Sequence, residues 1–163
     1  MNTENKPKIV FILGGPGAGK GTQCDIMTTK YGFKHYSTGD LLREFIKTDC
    51  DEARKIKELL AEGKLAPSEM VVDIVKREIF KDGENNNTYL IDGFPRSAEN
   101  YEAWKRVMGD DVVVKTLVYL GCSFETLEAR LLKRAKTSGR TDDNIETIRK
   151  RFNTYSEQTK PFL

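Results

Sequence analysis

Residues 14–20 read GGPGAGK and match the spacing G-x-x-x-x-G-K, which is typical of a loop that binds polyphosphate. Backbone N–H groups approach phosphate oxygens closely only where Cβ atoms are absent, and glycine adopts the backbone angles of such a nest. Lys20 adds a mobile positive charge for the terminal phosphates. The pattern predicts a nucleoside polyphosphate site rather than a glycine-rich turn with an incidental lysine. Gly21 stands where the general pattern has Ser or Thr, and the hydroxyl comes one place later, at Thr22, so direct metal coordination by it is left open.

A carboxylate and several arginines are the other candidates for chemistry. Asp92 ends the apolar segment YLID, where a sheet beside the phosphate loop would aim it at metal-bearing phosphates. A simple turn at Asp92 and Gly93 is the alternative. Phosphoryl transfer needs distributed positive charge, and the arginine fork matches phosphate geometry. The candidate arginines, each of which could alone be a solvated side chain, are Arg43, Arg96, Arg134, Arg140 and Arg151.

The strands that would position these residues follow from hydrophobic patterning. Buried parallel strands are predicted where apolar, β-rich runs occur, at residues 9–13, 88–91 and 112–120. A short fourth strand is expected at residues 35–37. Helical patterns lie between these runs, so the sequence predicts the α/β class with a parallel sheet.

Helix signals surround the strands. A helix is predicted to begin near Lys20, and further helices are expected at residues 39–47, 52–62 and 67–81. Asp143 and Glu146 have capping-box spacing and predict a last helix that runs toward Gln158.

Length and charge bound the remaining possibilities. The chain has 163 residues, which fits a single domain, and its net charge of +2 gives no general reason to expect nucleic acid or a membrane as partner. We expect a monomer. We also expect it in the cytoplasm, because the polar start is no signal peptide and no apolar run approaches the length of a membrane span. Cys24, Cys50 and Cys122 include no CxxC pair, which argues against a disulfide framework or a cysteine-based zinc site. His35, the single histidine, is expected to pack rather than to act.

Four motifs resemble the nucleoside monophosphate kinases, in the same order and over nearly the whole chain. They are GGPGAGKGTQC, STGDLLR, IDGFPR and SGRTDDN. The resemblance implies a three-layer P-loop NTPase fold with five parallel strands and helices on both faces. It also implies an NMP-binding helical insert at residues 38–67 and a short lid without zinc at residues 136–143. The implied partners are ATP and a nucleoside monophosphate, with Mg2+ bound alongside ATP.

The resemblance also implies a role for each matching residue. Those implied to bind ATP are Gly15, Pro16, Gly17, Ala18, Gly19, Lys20, Gly21, Thr22 and Arg134. Those implied to bind the monophosphate are Thr38, Arg43, Gly93, Arg96, Asn100, Arg140 and Arg151. Those implied to be catalytic are Lys20, Arg96, Arg134, Arg140 and Arg151. Asp92 would orient hydrated magnesium without direct coordination, and Asp142 and Asp143 would brace the lid.

Two residues give opposite indications about the acceptor. Asn100 resembles the asparagine that reads the pyrimidine in UMP-CMP kinases, where adenylate kinases carry glutamine. Thr38 resembles adenylate kinases, although it could instead be a helix cap. The balance favours UMP or CMP over AMP.

The end of the sequence raises a third possibility. Family members continue into a further strand and helix beyond the position of Leu163, so we expect an exposed sheet edge and reduced stability. A nucleotide-binding module that is inactive through truncation is therefore an alternative. A GTPase switch is disfavoured because the sequence has no N-K-x-D motif.

Overall fold

The computed structural model describes residues 5–48, 50–81, 83, 85–140 and 144–163. Strands and helices alternate along this part of the chain, as the α/β class requires. The strands are β1 (Lys8–Gly14), β2 (Lys34–Ser37), β3 (Thr88–Asp92) and β4 (Val113–Leu120). The helices are α1 (Lys20–Tyr31), α2 (Thr38–Phe45), α3 (Asp51–Ala61), α4 (Ser68–Phe80), α5 (Ala98–Met108), α6 (Phe124–Ala135) and α7 (Ile145–Thr154).

The strands form one parallel sheet in the order β2-β3-β1-β4. The register sets Ile12 of β1 opposite Asp92 of β3, and Ser37 of β2 opposite the same Asp92. The carboxyl ends of β1, β2 and β3 therefore meet at one edge of the sheet, where ligands bind in open parallel sheets. This arrangement confirms the predicted fold class and all four predicted strands. The resemblance implied a fifth strand, whereas the described residues form four.

Strand β4 departs from the prediction of burial. Large apolar side chains along it are exposed: Val114 by 44%, Leu117 by 42% and Tyr119 by 45%. Among the described strands it pairs with β1 alone, so it is an edge of the sheet. The prediction was wrong because an apolar run specifies a strand, while burial depends on which elements cover it.

The main core lies between the sheet and helices α2 to α5. Phe11, Phe94 and Trp104 are nearly inaccessible there, and the rings of Phe11 and Trp104 meet edge to face with centroids 5.0 Å apart. A second, smaller cluster includes Leu131 of α6 and Ile148 of α7 and packs beneath the glycine-rich loop. Both clusters support the same edge of the sheet.

Helix caps explain where the elements begin. The side chain of Ser37 accepts a hydrogen bond from the N–H of Asp40 at the start of α2, so the cap considered for Thr38 lies one residue earlier. Asn144 caps α7 by accepting from the N–H of Thr147. The predicted cap, Asp143, lies outside the described residues.

Helix α7 does not end with ordinary winding. It continues into a five-residue π-helical turn, Tyr155–Thr159, and then a short 3-10 turn, Lys160–Phe162. The predicted helix toward Gln158 is confirmed with that change of winding. Within the described chain, no helix combines the length and apolarity that crossing a membrane requires.

Candidate active site

The glycine-rich loop joins β1 to α1 and is held tightly against α6. Gly17 has a φ of 85°, and a Cβ there would lie 2.9 Å from the carbonyl oxygen of Leu127. An L side chain would therefore be both strained and obstructed at this position. The loop ends at Gly19, the N-cap of α1, so the unpaired N–H groups of the first helical turn face the same space.

Lys20 is the central cation of this loop. Its Nζ donates hydrogen bonds to the carbonyl oxygens of Gly14 and Gly15, each at 3.1 Å. Burial lowers the pKa of Lys20 to about 8, and the charge of Asp92 opposes that fall. The positive charges of three arginines, Arg96, Arg151 and Arg134, lower it further. The lysine is thus held in a partly desolvated, strongly positive site that a polyphosphate would neutralise.

A cavity of about 770 Å³ opens beside Lys20. Its charged lining is strongly unbalanced, with eight cationic side chains against two carboxylates among the described residues. The cations are Lys20, Arg43, Lys64, Arg96, Arg130, Arg134, Arg140 and Arg151. Such a surface attracts anions and suits phosphate groups above all.

Most of the sequence-predicted site residues meet at this cavity. Those that line it are Pro16, Gly17, Ala18, Gly19, Lys20, Gly21, Thr22, Arg43, Asp92, Arg96, Arg134, Arg140 and Arg151. Gly15 contributes through its carbonyl, and Gly93 lines a small adjoining pocket of about 60 Å³. Thr38 and Asn100 are buried and are absent from the lining of either cavity.

Asp40 connects two arginines that come from distant parts of the chain. Its Oδ1 accepts from Nη2 of Arg43, at 2.5 Å, and from Nη2 of Arg140, at 3.3 Å. Burial acts to raise the pKa of Asp40, but the hydrogen bond and charge of Arg43 and the charge of Arg140 hold it below its ordinary value. The carboxylate is therefore ionised and links the predicted monophosphate-binding segment to the predicted lid.

Residues 136–140 of the predicted lid are described, and they form turns after α6. The N–H groups of Thr137 and Ser138 both donate to the carbonyl oxygen of Arg134. Asp142 and Asp143, which the resemblance implies brace the lid, lie outside the described residues.

The loop after β3 presents Arg96. Gly93, with a φ of 77°, makes the turn, and a Cβ there would lie 2.9 Å from Nη2 of Arg96. The Nε of Arg96 donates to the carbonyl oxygen of Gly93 at 2.6 Å, and its backbone N–H donates to Oδ1 of Asn100 at 2.9 Å. Asn100 also donates from Nδ2 to Ser68 Oγ at 2.8 Å. Asn100 thus holds the Arg96 loop, and Thr38 binds the same loop by donating from Oγ1 to the carbonyl oxygens of Asp92 and Gly93.

Three threonines fasten α7 and its π-helical turn to the loops around the cavity. Thr147, Thr154 and Thr159 donate from Oγ1 to the carbonyl oxygens of Ala61, Gly63 and Arg96, respectively, at 3.2, 2.9 and 2.7 Å. Arg151 projects from the same helix into the cavity lining. Its position therefore depends on backbone contacts with both the α3 end and the Arg96 loop.

Asp92 has a second environment on its other side. Its Oδ2 lies 3.5 Å from Nε2 of His35, and Cys24 is buried next to both. The Asp92 carboxylate, followed by the Cys24 sulfur, raises the pKa of His35 above its ordinary value. His35 also lines the cavity, so the expected packing role is an incomplete description.

Sequence reasoning missed three residues of the site. Asp40 was passed over inside a quoted motif, because its partner Arg140 is remote in sequence. Arg130 precedes Arg134 by one helical turn, which is the signal that could have found it. Its Nη1 donates to the carbonyl oxygen of Ala18 at 3.4 Å. Lys64 follows the end of α3 and is visible as a cavity residue only in the folded chain.

A P-loop, a buried lysine and converging arginines on a parallel sheet define a nucleotide-binding phosphotransferase of the P-loop class. Comparison with known proteins is in accord with that class. The family model of adenylate kinase matches residues 12–163. Human adenylate kinase isoenzyme 1 is 42% identical over 158 residues, which cover 97% of this chain and 80% of that protein. Mouse UMP-CMP kinase is 43% identical over 162 residues, which cover 97% of this chain and 83% of that protein. The chain belongs to the adenylate kinase family and is a nucleoside monophosphate kinase.

Proposed function

We propose that the chain transfers the γ-phosphoryl group of ATP to a pyrimidine nucleoside monophosphate, UMP or CMP, and produces the nucleoside diphosphate and ADP. The observation that carries the phosphotransfer is the convergence of Lys20 and the cavity arginines beside the glycine-rich loop. The enzyme acts on small molecules, as a monomer in the cytoplasm. The modest net charge of +2 gives no general reason to add nucleic acid or a membrane as a partner.

In the proposed reaction an oxygen of the acceptor phosphate attacks the γ-phosphorus, and the bond from that phosphorus to the β–γ bridging oxygen breaks. The attacking oxygen is already anionic, so no general base has to remove a proton. Catalysis then depends on positioning and on neutralising charge. Lys20 and the loop N–H groups bind ATP, Arg43 and Arg96 bind the acceptor phosphate, and Arg134, Arg140 and Arg151 surround the transferring group.

The residues near Lys20 fit a magnesium ion that arrives with ATP. Asp92 is a buried carboxylate at the end of β3, and its charge reaches Lys20. Thr22 adds a hydroxyl to the cavity lining. Hard oxygen groups of this kind suit Mg2+, which keeps several of its waters when bound. Asp92 would hold such a water, and the ion when bound supplies charge neutralisation between the phosphates.

The choice of a pyrimidine acceptor depends on Asn100 and Thr38. Thr38 is 2% exposed, and its one hydroxyl proton is already shared between the Asp92 and Gly93 carbonyls, so it can offer an adenine only an acceptor oxygen. Asn100 adjoins Arg96. Within the described chain its amide makes one donated and one accepted bond, and therefore keeps one N–H and one lone pair. Those two groups suit the edge of a pyrimidine once the acceptor draws the Arg96 loop toward the cavity.

Adenylate kinase activity is the second candidate. The observation that favours it is Thr38 itself, which stands at the start of α2 within 3.4 Å of the position that a Cβ on Gly93 would take. A hydroxyl so close to the Arg96 loop could reach an adenine if the loop moved in the other direction. A nucleotide-binding module without turnover is the third candidate. It would make the same phosphate contacts as the two kinases, so only an activity assay separates it from them.

The test is phosphoryl transfer from Mg-ATP to UMP, CMP and AMP in parallel. Lys20→Ala serves as the control for contaminating kinase, and Asn100→Gln and Thr38→Ala serve as a matched pair. Production of UDP and CDP that Asn100→Gln weakens and Thr38→Ala spares would support the proposal. ADP formed from AMP alone, with loss in Thr38→Ala, would assign the adenylate reaction instead. Nucleotide binding without any product would leave only the binding module.

A further inference from the structure

Cys24, His35 and Asp92 form a group that phosphoryl transfer does not use. They come from α1, β2 and β3, respectively, and each offers one donor atom to a common space. These three donor atoms lie within 4.8 Å of one another. A search of the described residues for three or more cysteine, histidine or acidic side chains with converging donor atoms finds this group.

The imidazole of His35 is oriented toward the other two donors. Its Nδ1 lies 3.9 Å from Oδ1 of Asp25, and its Nε2 lies 3.5 Å from Oδ2 of Asp92. Within the described chain the Nε2 atom is buried and has no hydrogen-bond partner. The Asp92 carboxylate approaches this nitrogen through charge alone, and a metal ion held between the three donors would give the nitrogen a direct partner. On the Nδ1 side the Asp25 carboxylate is too distant for a hydrogen bond and contributes negative charge only.

The chemistry of the three donors selects among ions. Mg2+ and Ca2+ prefer oxygen ligands, so a site with a thiolate disfavours them. Zn2+ binds thiolate sulfur, imidazole nitrogen and carboxylate oxygen. Ligands about 2.0 to 2.3 Å from a tetrahedral zinc stand roughly 3.3 to 3.8 Å apart. The longest separation here therefore has to close by about 1 Å, which is within the reach of side-chain rotation.

We propose that Cys24, His35 and Asp92 bind one Zn2+ ion, with the fourth position open to the nucleotide cavity. Binding displaces the thiol proton of Cys24, and the Nε2 proton of His35 when one is present, and both protons pass to the buffer. The ion takes the Asp92 carboxylate that faces Lys20. Zinc therefore competes with the magnesium-bearing nucleotide for that side chain and inhibits phosphoryl transfer.

The site is tested on the full chain, reduced with a phosphine and freed of metal. Zn2+ affinity is measured by competition with a chromophoric chelator, and Co2+ serves as a spectroscopic probe because thiolate coordination gives a near-ultraviolet charge-transfer band. We expect one Zn2+ per chain and a cobalt–thiolate band. Cys24→Ala should abolish the band and weaken Zn2+ binding at least about 100-fold, because it removes the thiolate ligand.

Cys122→Ala and Cys50→Ala are the matched controls, and Cys122 is the stringent one because it lines the same cavity. Both should keep the band and the affinity. His35→Gln is the second ligand variant; it should weaken Zn2+ binding, and its metal-free Tm, lowered by loss of the charge pair with Asp92, is the reference for the effect of zinc. Zinc should raise the Tm of the parent chain and not that of His35→Gln. Absence of Zn2+ binding, or a band that disappears in Cys122→Ala and persists in Cys24→Ala, would overturn the proposal. These readouts need no phosphoryl transfer, so they stand apart from the proposed function.

Discussion

Replacing Lys20 by methionine measures what it costs the fold to bury a cation at the phosphate site. Burial lowers the pKa of Lys20 from 10.5 to about 8, so the folded chain releases this proton before the unfolded chain does. Between those two pH values the unfolded state binds more protons, and the free energy of unfolding therefore rises with pH. Below pH 8 both states hold the proton and the full cost is present. Methionine keeps the approximate volume and removes the titration.

The magnitude follows from the two pKa values. Linkage gives an increase of about 2 kcal/mol in the stability of the parent chain, relative to Lys20→Met, between about pH 7 and pH 9.5. The side chain is only partly buried by area, so solvent reduces the expected increase to between about 1 and 2 kcal/mol. Lys20→Met also loses the two hydrogen bonds to Gly14 and Gly15. That loss is about the same at each pH, so it does not affect the change with pH in the difference between the two unfolding free energies.

The assay is urea unfolding of both chains at a series of pH values and constant ionic strength. Lys30→Met, which removes an exposed lysine from the same helix, controls for the general loss of a positive charge. A difference between the parent and Lys20→Met that stays flat with pH would refute the argument that Lys20 is desolvated. Lys20→Met should also lose phosphoryl transfer at every pH.

Three further substitutions test the site and its support. Asp40→Asn should raise the KM for the acceptor roughly three- to tenfold in steady-state assays, because the charge pairs that gather two arginines are worth about 1 kcal/mol; an unchanged KM and kcat would argue against the bridge. Gly17→Ala should destabilise the chain by about 1–3 kcal/mol in urea unfolding, whereas Gly21→Ala, with open space around it, should not. Leu131→Ala, fully buried beneath the loop, should cost about 2–5 kcal/mol, and its half-exposed neighbour Leu132→Ala well under half of that. Equal costs for the two leucines would contradict the packing described here.

Local chemistry explains what the sequence could predict. The glycine-rich loop is recognisable because its backbone angles and close contacts restrict the residue type at each position, as Gly17 illustrates. Strands β1 and β3 were recognisable because they are central in the sheet and are buried on both faces. Helix starts were predicted to within a residue or so, and the exchange of Asp143 for Asn144 as a cap shows why. Both residues carry a side-chain oxygen that can cap a helix, and the glutamate three residues after Asp143 favoured that residue over Asn144.

Long-range placement explains what the sequence could not predict. The apolar run of β4 does not encode its own exposure, and only the resemblance led us to expect an exposed sheet edge. The bridge from Asp40 to Arg140 and the meeting of Cys24 with His35 join segments that are separate along the chain. Asn100 was correctly located beside Arg96, but its two hydrogen bonds to the loop and to Ser68 appear only in the folded structure. Whether Asn100 reads a base stays a prediction.

The helical winding after α7 fixes how many residues must separate the threonines that bind the loops around the cavity. Thr147 and Thr154 are seven residues apart, which is nearly two α-helical turns, so they share a face. Thr159 follows five residues later, and five residues of α-helix would carry it about 140° past a full turn. The π-helical turn is wound more loosely, so Thr159 overshoots by less than it would in an α-helix, and its hydroxyl meets the Arg96 carbonyl. The number of residues in this segment is therefore part of the site, because losing one would rotate the last hydroxyl away from the loop that carries Arg96.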